Sequence, residues 1–189
     1  MTGRYNADVL DDIDRILVTR QQIARRVAEL GQEISRDLDR LCDGDEFVMI
    51  PVLTGSIIFV ADLMRQIPKK VRISPVMVSS YPGGATTSQG VAIIGELPDD
   101  LAGKHILIVD DILDSGSTIK VLREALLERG ARSVRVCVLL RKDIPEAQEV
   151  SCEYVGFDIP NEFVVGYGLD YDNYYRNLPD VAVLKKEMM

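Results

Sequence analysis

The chain has 189 residues, 47% of them hydrophobic and 28% charged, with a formal net charge of −8. This length and composition suit a single globular domain, and the acidic balance argues against a nucleic-acid partner, whose phosphates call for a basic face. No apolar run reaches the roughly 18 residues of a membrane-spanning helix, and residues 1–8 lack the apolar core of a secretory signal, so a cytoplasmic location is expected and membrane association is not.

Residues 8–42 read as helix, because Ile13, Ile16, Leu17, Ile23, Val27, Leu30, Ile34 and Leu38 recur at three- and four-residue spacing among charges. Residues 46–53 form a short apolar run rich in strand formers, closed by Thr54-Gly55-Ser56. Helical spacing resumes over 56–66 and stops at Pro68. A strand over 71–78 leads into 79–90, a segment with three glycines and little apolar content that reads as a mobile loop. Another strand is expected over 91–97.

His105-Ile106-Leu107-Ile108-Val109 has the composition of a strand buried on both faces. An amphipathic helix over 119–129 ends at Gly130, and strands follow over 133–140, 154–157 and 163–168. Strand, helix and strand around 105–140 make a βαβ unit, which favours an α/β fold with a mostly parallel twisted sheet flanked by helices. No repeat or linker divides the chain. Cys42, Cys137 and Cys152 are too few and too irregularly spaced for a disulfide framework or zinc site and read as small hydrophobes. His105 reads as a strand-entry residue.

The chemistry concentrates in Val109-Asp110-Asp111-Ile112-Leu113-Asp114-Ser115-Gly116-Ser117-Thr118. A parallel strand's carboxyl end followed by a helix start is where α/β folds place ligands. Ser115, Gly116, Ser117 and Thr118 suit a phosphate group held by hydroxyls, first-turn amides and the helix dipole. Gly116 is expected to let the backbone approach the anion. Three carboxylates beside a phosphate pocket need sugar hydroxyls or a cation such as Mg2+ between them. Helix capping would occupy one side chain, Asp114 or Ser115, and leave two acids unexplained. There is neither Gly-x-x-x-x-Gly-Lys-Ser/Thr nor Gly-x-Gly-x-x-Gly, so P-loop and dinucleotide readings do not apply.

Residues 109–118 resemble the phosphoribosyl pyrophosphate motif of type I phosphoribosyltransferases. Leu53-Thr54-Gly55-Ser56, Ser80-Tyr81, Leu139-Leu140-Arg141-Lys142, and the segments 154–157, 163–171 and 175–178 follow in the order of the hypoxanthine-guanine branch. The resemblance implies a type I fold with a small hood built from terminal segments and a mobile loop over about 79–90. It implies transfer of the phosphoribosyl group to N9 of hypoxanthine or guanine in purine salvage, with Mg2+ as cofactor and a homodimer or homotetramer as assembly.

By the same resemblance Asp114 is the general acid/base at purine N7. Asp110 and Asp111 hold the ribose hydroxyls directly or through Mg2+, with Ile112 beside them. Ser115, Gly116, Ser117 and Thr118 take the 5′-phosphate. Leu53, Thr54 and Gly55 contact pyrophosphate through a loop whose first peptide the family often keeps cis. Ser80 and Tyr81 head the closing loop. Lys142 donates to the 6-oxo group, Phe163 stacks on the base and the Val164 backbone meets the ring edge. Asp170 ligates a second Mg2+, and Arg176 contacts pyrophosphate. Taken alone these residue types admit plainer roles: Phe163 as core, Lys142 as a solvated lysine, Tyr81 as an incidental aromatic, and Arg176 stacked on a ring.

Thr54 stands where family members commonly carry a basic residue, and Ser115 keeps the hydroxyl of a more usual threonine. Alternatives are a xanthine-preferring or pyrimidine transferase, or a regulator that keeps the phosphoribosyl pyrophosphate site as a sensor. The acidic charge and the presence of both Asp114 and Lys142 favour an enzyme.

Overall fold

The computed structural model describes residues 7–41, 46–80, 91–94 and 96–188. Cys42 and Tyr81, together with residues 81–90 of the expected loop, lie outside them. In chain order the elements are α1 (Ala7–Asp11), β1 (Ile13–Val18), α2 (Arg20–Leu41), β2 (Phe47–Leu53), α3 (Ile57–Met64), β3 (Arg72–Ile73), β4 (Val76–Ser80) and β5 (Val91–Ile94). Then come β6 (His105–Leu113), α4 (Ser117–Glu128), β7 (Ser133–Lys142), α5 (Pro145–Gln148), β8 (Tyr154–Ile159), β9 (Val164–Val165), β10 (Val181–Leu184) and a closing 3-10 turn, Lys186–Met188.

The main sheet runs β5-β4-β2-β6-β7-β8, with β3 also on β2. Every pairing in it is parallel except β4 with β5. Both faces are covered, and the two-residue period of the strands divides the core between them. Met49, Leu107, Val109, Cys137 and Leu139 point toward the α2 and α3 layer, where Ile23, Val27, Leu30, Ile34, Phe59 and Leu63 are buried. Val48, Ile50, Ile106, Ile108, Val136 and Val138 pack on the other face against Ile119, Leu122 and Leu126 of α4. This is the mostly parallel, helix-flanked α/β architecture expected. Cys137 is a buried core residue, and burial pushes its thiol up.

A second sheet, β1-β10-β9, is antiparallel and joins the two terminal regions as a small hood. It corrects the expectation of one helix over 8–42. Ile13, Ile16 and Leu17 fit helical spacing, yet Ile13 pairs with Leu184, Ile16 with Ala182 and Val18 with Val181. The pairing is remote in sequence, so a local period does not reveal it. α2 instead starts at a reciprocal cap, where Thr19 N–H donates to Gln22 Oε1 at 2.9 Å and Gln22 N–H reaches Thr19 Oγ1 at 3.3 Å.

Other boundaries also move. Ser74-Pro75 splits the expected 71–78 strand into β3 and β4, because proline cannot donate to a ladder. Ser79 and Ser80 belong to β4, where they pair with Ala92 and Val91, rather than to a loop. Of the 91–97 strand only Val91–Ile94 forms, and of 163–168 only Val164–Val165. The helices over 56–66 and 119–129 settle at Ile57–Met64 and Ser117–Glu128. The strand expected to end at Val109 continues to Leu113, because Asp110 and Ile112 pair with Val138 and Leu140 of β7. β7 and β8 likewise run on to Lys142 and Ile159.

Candidate active site

At the carboxyl ends of β2 and β6 lies a cleft of about 480 Å3, lined by Val52, Leu53, Thr54, Gly55, Val78, residues 110–119, Asp170 and Arg176. It sits where ligands bind in open α/β sheets. The structure therefore brings together the expected Leu53-Thr54-Gly55, Asp110-Asp111-Ile112, Asp114, Ser115-Gly116-Ser117-Thr118, Asp170 and Arg176. Val52, Val78, Leu113 and Ile119 also line it and were not anticipated. Pairing Val52 of β2 with Val76 of β4 explains why Val78 arrives there.

The extension of β6 decides where the acids stand. Asp110 and Asp111 are held by the β6–β7 ladder on the cleft floor. Asp110 is 6% exposed. Its Oδ1 accepts from the Asp111 amide, and Asp111 Oδ1 accepts from the Ile112 amide, both at 2.9 Å. Burial, then the neighbouring Asp111 charge, pushes the Asp110 carboxyl well above the usual carboxylate range. Burial raises Asp111 as well, opposed by its hydrogen bonds and by the Arg176 charge. Two adjacent desolvated carboxyls fit sugar hydroxyls or a cation.

Helix α4 supplies the anion cradle. Its N-cap is Gly116, left-handed at φ 73°, with no side-chain cap bond. Neither Asp114 nor Ser115 occupies the cap position, and Asp114 pairs with Lys142 instead. Ser115 Oγ makes only long contacts, to Ser117 N–H at 3.4 Å and Ser117 Oγ at 3.2 Å. The first-turn amides and three hydroxyls at the positive end of the helix dipole are disposed to receive an anion. Gly116 is also required on packing grounds: a Cβ there would overlap the Val150 side chain, at a φ that strains other residues.

Opposite α4, the Leu53–Thr54 peptide is cis, as the resemblance implied. Ser56, fully buried, donates its hydroxyl to the Val52 carbonyl and fixes the loop. Gly55 lets the Asp111 carboxylate lie against this loop, since a Cβ there would overlap the carboxylate oxygen. Gly168 in turn presses on the Gly55 carbonyl. That contact carries the 166–176 turn to the cleft. Within the turn Arg176 donates to the Gly168 carbonyl at 2.7 Å and pairs with Asp170 at 2.8 Å, and the Asn173 amide donates to Asp170 Oδ2 at 2.8 Å.

Lys142, Phe163 and Val164 are not among the described residues that line the cleft. Lys142, the last residue of β7 and not the first beyond it, pairs with Asp114 through Nζ and Oδ2 at 2.9 Å. Phe163 is 42% exposed and borders a separate hollow of about 660 Å3 with Glu162, Arg15 and Val183. The plain-core reading of Phe163 is therefore excluded. Val164 is buried and pairs with Val183. Ser80 ends β4.

Among the described residues no three or more His, Cys, Asp or Glu side chains gather as a metal cage. Asp110, Asp111 and Asp170 accordingly do not form a ready-made three-carboxylate site. The donor set still fits Mg2+, which binds through one or two carboxylates plus water and substrate phosphates. No helix of the described residues is long and apolar enough to cross a membrane.

Residues 15–172 match the family model for the phosphoribosyl transferase domain. The chain is 47% identical over 176 residues to a hypoxanthine-guanine phosphoribosyltransferase of Mycobacterium tuberculosis, covering 92% of this chain and 87% of the relative. A Streptococcus pneumoniae protein of the same name is 40% identical over 178 residues, covering 94% and 97%. A hypoxanthine phosphoribosyltransferase structure from Staphylococcus aureus superposes with a TM-score of 0.88 at 37% identity, covering 98% of each chain. A Trypanosoma cruzi hypoxanthine phosphoribosyltransferase, solved as a ternary substrates complex, gives 0.86 at 37% identity over 94% of this chain and 98% of its own.

Proposed function

The chain belongs to the phosphoribosyltransferase family, and from that premise we propose that it is a purine-salvage enzyme making IMP or GMP from hypoxanthine or guanine and phosphoribosyl pyrophosphate. The observation that carries this reading is the cleft itself. Paired buried carboxylates, an uncapped helix start and the Asp170/Arg176 turn line one cavity, and Asp114 on its rim is paired with Lys142.

The 5′-phosphate sits on residues 115–118, and the ribose hydroxyls donate to Asp110 and Asp111, which relieves their desolvation. Leu53, Thr54, Gly55 and Arg176 hold the pyrophosphate. Asp110 and Asp111 would hold one Mg2+, and Asp170 a second, each together with substrate oxygens; bound there, the metal would supply positive charge opposite the pyrophosphate. The bond from C1′ to pyrophosphate oxygen breaks as purine N9 bonds to C1′, through an oxocarbenium-like state. Asp114 takes the proton released by the base at N7. Residues 79–90, Ser80 and Tyr81 among them, exclude water from the sugar cation.

Lys142 reads the base. Its ammonium donates to a 6-oxo group and offers nothing to accept a 6-amino hydrogen, so adenine is rejected. Phe163 stacks on the ring and the Val164 backbone meets its edge. The protein acts in the cytoplasm as a homodimer or homotetramer and binds no nucleic acid. Mg2+-dependent release of pyrophosphate in the presence of hypoxanthine or guanine tests the reading. Tight binding of phosphoribosyl pyrophosphate without turnover of any base would instead favour a sensor.

A further inference from the structure

Phe163 stands at the edge of the hood with 42% of its surface exposed. A half-exposed phenylalanine has a broad χ2 preference, so its ring orientation depends on neighbours that hold it. Here the Tyr171 ring meets it edge to face, with centroids 5.6 Å apart and planes at 85°. That is a favoured geometry for two aromatic quadrupoles. Tyr171 itself is anchored. Its ring packs against the hood cluster of Val165, Leu178 and Leu184. Its backbone closes a two-way turn with Tyr174, Tyr174 N–H donating at 2.9 Å and Tyr171 N–H at 3.3 Å. The residue before it is Asp170, locked by Arg176 and the Asn173 amide.

We propose that Tyr171 is a positioning residue: it sets the orientation of the Phe163 ring against the purine and ties that platform to the turn carrying Asp170 and Arg176. The inference rests on the proposed base-stacking role of Phe163. Tyr171 is not among the described residues that line the cleft. It acts through Phe163, and the ring rather than the hydroxyl does so.

The test is steady-state kinetics on the full chain with Tyr171→Leu, Tyr171→Phe, Phe163→Leu and the double leucine variant. Tyr171→Leu raises KM for hypoxanthine about 5- to 10-fold, with kcat and KM for phosphoribosyl pyrophosphate within about twofold of the parent. Tyr171→Phe restores the parent value, and adding Tyr171→Leu to Phe163→Leu costs nothing further. An unchanged purine KM in Tyr171→Leu overturns the proposal, as do additive effects in the double variant. So does an equal rise in KM for phosphoribosyl pyrophosphate, which would mark collapse of the turn. A parent protein inactive on every purine overturns the proposed function and this inference together; an active parent with additive variants overturns this inference alone.

Discussion

Lys142 Nζ lies 2.9 Å from Asp114 Oδ2, joining the ends of two neighbouring parallel strands across the cleft rim. These are the side chains proposed for O6 and N7, two atoms on the same edge of a 6-oxopurine. In the proposed complex the base would exchange this one charge-assisted contact for two of its own.

Replacing Asp114 by Asn keeps the shape and removes the proton acceptor. The expected result is a fall in kcat of about 10²–10⁴, with the melting temperature unchanged because Asp114 is neither buried nor a cap. Pre-steady-state and steady-state assays of nucleotide formation measure it. An unaltered kcat rejects the acid/base role.

Replacing Lys142 by Met removes the donor to O6. KM for hypoxanthine should rise about 10- to 100-fold, and discrimination against adenine should shrink. Competition between the two bases measures both. Discrimination that survives the substitution assigns base selection elsewhere.

Asp110→Asn should stabilise the ligand-free protein while abolishing turnover, because the buried carboxyl is held above its ordinary range by desolvation and by Asp111. With the folded pKa raised, the favourable state is the protonated one, and stability is lost as pH rises through that value. The variant should therefore melt roughly a few degrees higher than the parent at neutral pH, with the gap closing as pH falls toward 4. Calorimetry across this range decides it, and a gap that widens on acidification contradicts the assignment.

Gly168→Ala should lower stability and raise KM for phosphoribosyl pyrophosphate together. The position has φ 106°, and a Cβ would overlap the Gly55 carbonyl. A backbone overlap of this kind costs about 1–3 kcal/mol or more. Parent-like melting and KM would show that the 166–176 turn is not braced on the 53–55 loop.

The part of the cleft proposed for phosphate and ribose was legible in the sequence because its residues are contiguous: one strand end and one helix start carry Asp110 through Thr118. The cis peptide and the Asp170/Arg176 turn came only with the resemblance. Non-glycine residues at positive φ, Tyr167, Asp172, Asn173 and Tyr175, build that turn, and residue identity alone does not announce such backbones. Tyr167 is held by donating to Asp62 at 2.6 Å and Tyr175 by donating to Asp12 at 2.8 Å, over 105 and 163 residues. Partnerships that distant leave no local pattern. The hood strand β1 was hidden for the same reason, although the Thr19–Gln22 cap marked where it had to end. The contact of Tyr171 with Phe163 needed the fold.

The central claim is phosphoribosyl transfer to a 6-oxopurine at the Asp114/Lys142 rim. Its most direct test offers hypoxanthine, adenine and uracil together at equal concentration, with phosphoribosyl pyrophosphate and Mg2+, and identifies the nucleotides by mass spectrometry. The account predicts IMP in one-to-one yield with pyrophosphate and only trace AMP or UMP. A predominance of AMP or UMP, or no nucleotide at all, contradicts it.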